Sequence, residues 1–202
     1  MVRGVDENAA IGRAFIEDGT RLPGVKHLVS TINALWIVGA CPSLASLEAK
    51  RDDFVWGEAA HKRDVAWFAA AGRLKGLRKL DMGEVEWTGT MTDCVLRDTP
   101  HIEGLHDLIK PLSLLPSLTQ LHLPRSSQLE LGYDGGSMCE NANMGQNGAK
   151  YWRSNMAQDL ETTELAGKIV RQEFPGLHGV HVGGFCGNFT TDAEAEQVIT
   201  WD

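Results

Sequence analysis

The sequence predicts an α/β fold: a repeat solenoid with a parallel sheet of about five strands on its concave side and helices on its outer side. Three observations predict it. Five nine-residue segments align without gaps and share their apolar positions. A proline stands at one register ahead of the alternating stretch in four of them. The stretches between segments carry helical periodicity.

The segments are LPGVKHLVS from Leu22, CPSLASLEA from Cys41, LKGLRKLDM from Leu74, LPSLTQLHL from Leu115 and FPGLHGVHV from Phe174. Four columns run through them. Leu22, Cys41, Leu74, Leu115 and Phe174 form the first, and Val25, Leu44, Leu77, Leu118 and Leu177 the second. Leu28, Leu47, Leu80, Leu121 and Val180 form the third, and Ser30, Ala49, Met82, Leu123 and Val182 the fourth. Nineteen of these twenty positions are apolar in a chain that is 43% hydrophobic, with Ser30 the exception, so chance does not explain the columns.

Spacings of three, three and two pass from a turn period to a strand period. The closing alternation (Leu80-Asp81-Met82, Leu121-His122-Leu123, Val180-His181-Val182) is that of a strand with one buried face. Pro23, Pro42, Pro116 and Pro175 fix φ and lack a donor, which suits the approach to the strand and not its ladder. Each repeat buries three or four such side chains at about 1.5–3 kcal/mol each. Ordering the backbone costs about 1–2 kcal/mol per residue, so a lone repeat cannot stand and neighbours must stack.

Helices are expected between the strands. Ala10/Ala14 and Ile11/Phe15 are spaced by four within Asp6–Asp18, and Leu35, Trp36 and Val38 give a short second helix. Glu58–Ala71 carries Val65, Phe68 and Ala71 at helical spacing. Thr99 and Pro100 form an N-cap and first-turn proline ahead of the stripe Ile102, Leu105, Leu108, Ile109 and Leu112. Tyr151–Glu173 places Trp152, Met156 and Leu160 on one face. Thr191-Asp192-Ala193-Glu194 reads as a capping box opening a last helix with Val198 and Ile199. Strand and helix in alternation imply a parallel sheet covered by helices.

Composition bounds the function. With 202 residues the chain fits a single repeat domain over 1–202, interrupted by a Gly/Asn-rich loop at 132–150. A net charge of −8 repels phosphate backbones, so no nucleic-acid partner is expected. The best apolar runs, Ala34–Cys41 and Val65–Gly72, fall short of the ~18 residues of a membrane span, so no membrane partner is expected. Cys41, Cys94, Cys139 and Cys186 lie far apart with no CxxC, which points to a reducing, intracellular setting, cytoplasmic or nuclear.

At these residues the chain resembles the leucine-rich-repeat family. The first copy fits the family string as Val25-x-x-Leu28-x-Ser30-x-x-Asn33-x-Leu35, including the Asn that closes the ladder turn. Later copies depart: Asp52, Val85, Ser126 and Phe185 stand where the family has Asn, and the repeat intervals of 19, 33, 41 and 59 residues make the array irregular. The Leu-Pro-x-Leu-x-x-Leu strand is most similar to the repeats attached to F-box domains, as in fungal proteins, although Met1–Gly19 holds no F-box segment. Both a repeat fragment of a longer protein and a compact protein capped by its end helices fit these ends.

The resemblance implies that residues between the buried columns point outward from the concave strand face. Val29, Glu48, Asp81, His122 and His181 form the central row. His27, Ser46, Lys79, Gln120 and Gly179 flank it on one side, and Thr31, Lys50, Gly83, Pro124 and Gly183 on the other. Five strands give a surface about 20 Å wide, the scale of a modest protein interface. The expected function is therefore non-enzymatic recognition of another protein, through Glu48, Lys50, Lys79, Asp81, Gln120, His122 and His181. The resemblance narrows this to the substrate-binding part of an F-box-type ubiquitin-ligase adaptor, and no cofactor is expected.

One enzyme reading competes. Asp81, His122 and His181 would be adjacent, and a carboxylate with two imidazoles suits zinc binding or acid–base hydrolysis. No HExxH, clustered Cys or GxSxG accompanies them, so they read more simply as solvated polar residues. Cys139 in the loop is expected to be exposed, and Gly183-Gly184 to turn the chain after the fifth strand. Trp36, Trp67 and Trp152 read as core, whereas Trp56 and Trp87 follow strands near insertions and are candidates for exposure.

Overall fold

The computed structural model describes residues 3–50, 58–83, 102–124, 126, 129, 131, 146–191 and 197–202. Among them are helices α1 (Arg3–Glu17), α2 (Leu35–Ala40), α3 (Glu58–Ala71), α4 (Ile102–Ile109) and α5 (Gln146–Glu173), with a 3-10 turn at Lys110–Leu114. The strands are β1 (His27–Thr31), β2 (Ser46–Lys50), β3 (Lys79–Asp81), β4 (Gln120–Leu123), β5 (Gly179–Val182), β6 (Phe185–Thr191) and β7 (Gln197–Trp201).

All seven strands form one sheet in sequence order. The five repeat segments occupy β1 to β5, which pair parallel, and their columns are the rungs. Leu28 pairs with Leu47, Leu47 with Leu80, Leu80 with Leu121 and Leu121 with Val180. In the four later copies every column residue is buried, from Cys41 to Val182. Leu22, Val25 and Leu28 of the first copy pack against this core half-buried, because β1 is the sheet edge.

A repeated hydrogen-bond pattern explains the spacing. The N–H of the second column donates to the carbonyl of the first in four copies: Val25 to Leu22, Leu77 to Leu74, Leu118 to Leu115 and Leu177 to Phe174. Pro23, Pro116 and Pro175 sit at the next position of this turn, where their fixed φ is already correct. In each of the first three copies one carbonyl then takes two N–H groups from the next. Lys26 accepts from Ala45 and Ser46, Ala45 from Arg78 and Lys79, and Arg78 from Thr119 and Gln120.

One core holds strand and helix side chains together: Leu47, Leu80 and Leu121 with Trp67 and Phe68 of α3, Leu105 and Ile109 of α4, and Ile169 and Val170 of α5. The indole of Trp67, fully buried, donates to the Ile32 carbonyl (2.6 Å) and ties α3 to the turn after β1. Trp36 is half-buried on α2, its ring tilted 47° against the Phe15 ring at 4.9 Å and lying where a Cβ on Gly12 would stand. Ser126 is also buried. It donates to Asp159 Oδ1 (2.7 Å), stands 2.8 Å from the Thr162 hydroxyl, and so fastens the chain after β4 to α5.

The C-terminal part corrects the sequence reading. Val198 and Ile199 belong to a strand and not a helix, and the sheet has two strands beyond the expected five. After β5 the chain reverses at Gly183-Gly184, with Val182 paired to Phe185 across the turn. Gly183 has a positive φ of 58°, as the first position of a two-residue hairpin turn of type II′ requires. β6 and β7 then pair antiparallel, so the parallel series stops at β5. Ile199 and Trp201 face α5: a Cβ on Gly167 would stand 3.1 Å from Ile199 Cδ1 and 2.8 Å from the Trp201 ring. The strand pattern of Ile199 and Trp201 outweighs the capping-box signal, because alternation puts both side chains on the core face.

One boundary and one residue's exposure also differ from the sequence reading. The loop expected at 132–150 gives way at Gln146, where α5 begins. Pro124, expected on the outward face, is buried. Trp56, Trp87, Asp52, Val85, Thr99, Pro100, Cys94, Cys139 and the Asp192–Glu194 part of the capping box lie outside the described residues, as does the side chain of Trp152. Cys41, buried, and Cys186, half-buried, are both free thiols. Among the described residues no helix is long and apolar enough to cross a membrane.

Candidate functional site

The parallel register assembles the expected row. Val29 pairs with Glu48, Glu48 with Asp81, Asp81 with His122 and His122 with His181. Alternation buries the neighbours of Glu48, Asp81, His122 and His181 and half-buries those of Val29, which leaves this row on the open face. Val29 is 61% exposed, a large apolar side chain presented to solvent at the edge of a charged row.

The row is tied together by ion pairs and hydrogen bonds. Glu48 Oε1 meets Lys50 Nζ two residues along its strand (2.7 Å). Asp81 receives Lys79 Nζ at 3.4 Å on one oxygen. On the other it accepts from His122 Nδ1 at 2.9 Å and from the Gly83 N–H at 3.2 Å. His122 Nε2 reaches the Gly183 carbonyl at 3.0 Å. Both partners of His122 are acceptors, an arrangement that favours the doubly protonated ring.

The electrostatics agree. The hydrogen bond with Asp81 raises the His122 pKa; burial opposes this but is outweighed with help from the Gly183 carbonyl and the Asp81 charge. Burial pushes the Asp81 carboxyl up. Hydrogen bonds from His122 and Gly83, with the positive charges of His122 and Lys79, overcome it and hold the group well below the usual carboxylate range. Burial lowers His181, and the His122 cation adds to that. Two imidazoles 5.2 Å apart therefore have opposite preferences, His122 for charge and His181 for neutrality.

A glycine makes the central contact possible. A Cβ on Gly83 would overlap the His122 ring, so the imidazole lies across the chain after β3 only because that position has no side chain. Sequence reasoning placed Gly83 and Gly183 on the outward face without seeing that Gly83 makes room for the His122 ring and Gly183 binds it through its carbonyl. It also missed Cys186, which the β5–β6 hairpin pairs with His181, Sγ to Nε2 at 3.5 Å. The signal was the Gly183-Gly184 pair between two alternating segments.

Chemically, this arrangement presents charge and hydrogen-bonding groups on a firm sheet. Both ring nitrogens of His122 are engaged by protein acceptors in this arrangement. Among the described residues no group of three His, Cys, Asp or Glu side chains is placed to hold a metal ion. Gln120 and Lys79 lie side by side on the neighbouring row, paired in register. No family model, curated protein or solved structure matches the chain.

Proposed function

We propose that the chain is an irregular leucine-rich-repeat solenoid acting as a non-enzymatic recognition module, which docks another polypeptide on its open strand face. The observation that carries this reading is the in-register row Val29, Glu48, Asp81, His122 and His181, braced by the Asp81–His122 pair. A rigid face held by its own contacts loses little side-chain entropy on binding, which favours recognition. Glu48, Lys50, Lys79, Asp81, Gln120, His122 and His181 are the contact residues, with Val29 as the apolar element beside them.

A narrower form of the same reading is the substrate-binding part of an F-box-type ubiquitin-ligase adaptor in the cytoplasm or nucleus. It rests on the Leu-Pro-x-Leu-x-x-Leu strands and on free Cys41 and Cys186. Partner recovery by wild type and by Glu48→Lys/Asp81→Lys/His122→Ala, both checked for folding by circular dichroism, tests the general form. The folded triple variant is expected to lose the partner; undiminished recovery would remove the strand face from the account.

A further inference from the structure

The open face is electrically divided along its strands. Its middle carries Glu48 and Asp81, while the N-terminal ends of β1 and β3 carry Lys26, His27, Arg78 and Lys79. Between these ends lies a hollow of about 900 Å³, lined by those four groups with Ser43, Ala45, Ser46, Gly76 and Gln120. No carboxylate lines it, in a chain whose net charge is −8. Lys26, Arg78 and Lys79, the last also meeting Asp81 at 3.4 Å, concentrate positive charge against the overall sign, which is the mark of a site for an anionic partner.

We propose that this hollow binds an extended acidic peptide segment, through Lys26 and His27 on one side and Arg78 and Lys79 on the other. The inference rests on the recognition reading above and specifies the chemistry of the partner. β1 and β3 are two strands apart in the sheet, so their backbones are separated by about 10 Å, the span of three residues of extended chain. Small residues at Ala45 and Gly76 leave room for a backbone between them. The hydroxyls of Ser43 and Ser46 and the Gln120 amide supply uncharged donors beside the cations. Arg78 can grip a carboxylate with two parallel N–H groups, whereas the lysines act as point charges. No phenyl, phenol or indole ring lines the hollow, so the stacking surface on which single-stranded nucleic acid relies is missing.

Fluorescence anisotropy with the purified full chain tests this, using short labelled peptides rich in Asp and Glu, in Lys, or in Gln, and an oligothymidine of matched charge. The acidic peptide is expected to bind more tightly than the others and to weaken as salt rises. Lys26→Glu/Arg78→Glu, both exposed side chains, is expected to weaken it by about tenfold or more. Lys110→Glu/Lys168→Glu, the same charge change away from the hollow, is expected to do so far less. Equal binding of the acidic and Gln peptides overturns the proposal, as does tighter binding of oligothymidine or an undiminished affinity of Lys26→Glu/Arg78→Glu. Partner recovery that depends on Glu48, Asp81 and His122 but survives Lys26→Glu/Arg78→Glu would remove the acidic-peptide site and leave strand-face recognition standing.

Discussion

Asp81 and His122 face each other on neighbouring parallel strands with carboxylate Oδ1 2.9 Å from imidazole Nδ1, and this pair organises the open face. Its carboxylate also takes Lys79 and the Gly83 N–H, and its imidazole also reaches Gly183. Three neighbouring copies, β3 to β5, are thereby linked by these contacts as well as by the ladder.

The pair predicts a split histidine titration. Followed by NMR of the ring protons, His122 is expected to lose its proton above the ordinary histidine value and His181 below it. Asp81→Asn removes the main cause of the His122 shift and is expected to lower its midpoint. Coincident midpoints for the two histidines would contradict the geometry.

Stability should follow pH with a definite sign. The His122 pKa is raised in the folded state, so its contribution is fully present below the unfolded value and is lost as pH rises through the folded one. Asp81 is depressed, so its contribution is present above the unfolded carboxylate value and is lost as pH falls toward the folded one. Between those limits, His122→Ala is expected to cost about 1.5 kcal/mol in urea unfolding, with the loss shrinking at alkaline pH. A loss that grows with pH would have the wrong sign.

Gly83→Ala is expected to destabilise by about 1–3 kcal/mol, because the new Cβ must displace the His122 ring. Urea unfolding measures the cost, and the His122 titration should shift toward the ordinary value in the same variant. An unchanged titration would show that the ring does not lie over this position.

Trp67→Phe keeps most of the buried ring but removes the donor to the Ile32 carbonyl. The expected cost is about 1–3 kcal/mol in urea unfolding, from a buried acceptor left without its partner. A neutral substitution would mean that the Trp67–Ile32 contact contributes nothing to holding α3.

The rungs and the outward row were legible in the sequence because one physical period governs both. A spacing of three, three and two buries Leu77, Leu80 and Met82 and turns Lys79 and Asp81 outward, and each parallel copy repeats it. The last two strands were not legible by that route, since they belong to no repeat and pair antiparallel. There the local capping-box signal pointed to a helix, while the β-branched run Val198-Ile199-Thr200 before Trp201 favoured a strand. The Cys186–His181 contact depended on that hairpin and was hidden with it. The bonds of Ser126 to Asp159 and Thr162 follow from how α5 docks, which no local pattern encodes.

The most direct test of strand-face recognition is site-specific photo-crosslinking, with the photoreactive residue placed at Val29, Glu48 or, as the comparison, Met156. Val29 and Glu48 stand on the strand face, whereas Met156 is an exposed apolar side chain on α5. The account predicts one shared protein adduct from positions 29 and 48, absent from position 156 and reduced by Asp81→Lys. The same adduct from Met156 alone, or equally from all three positions, would contradict it.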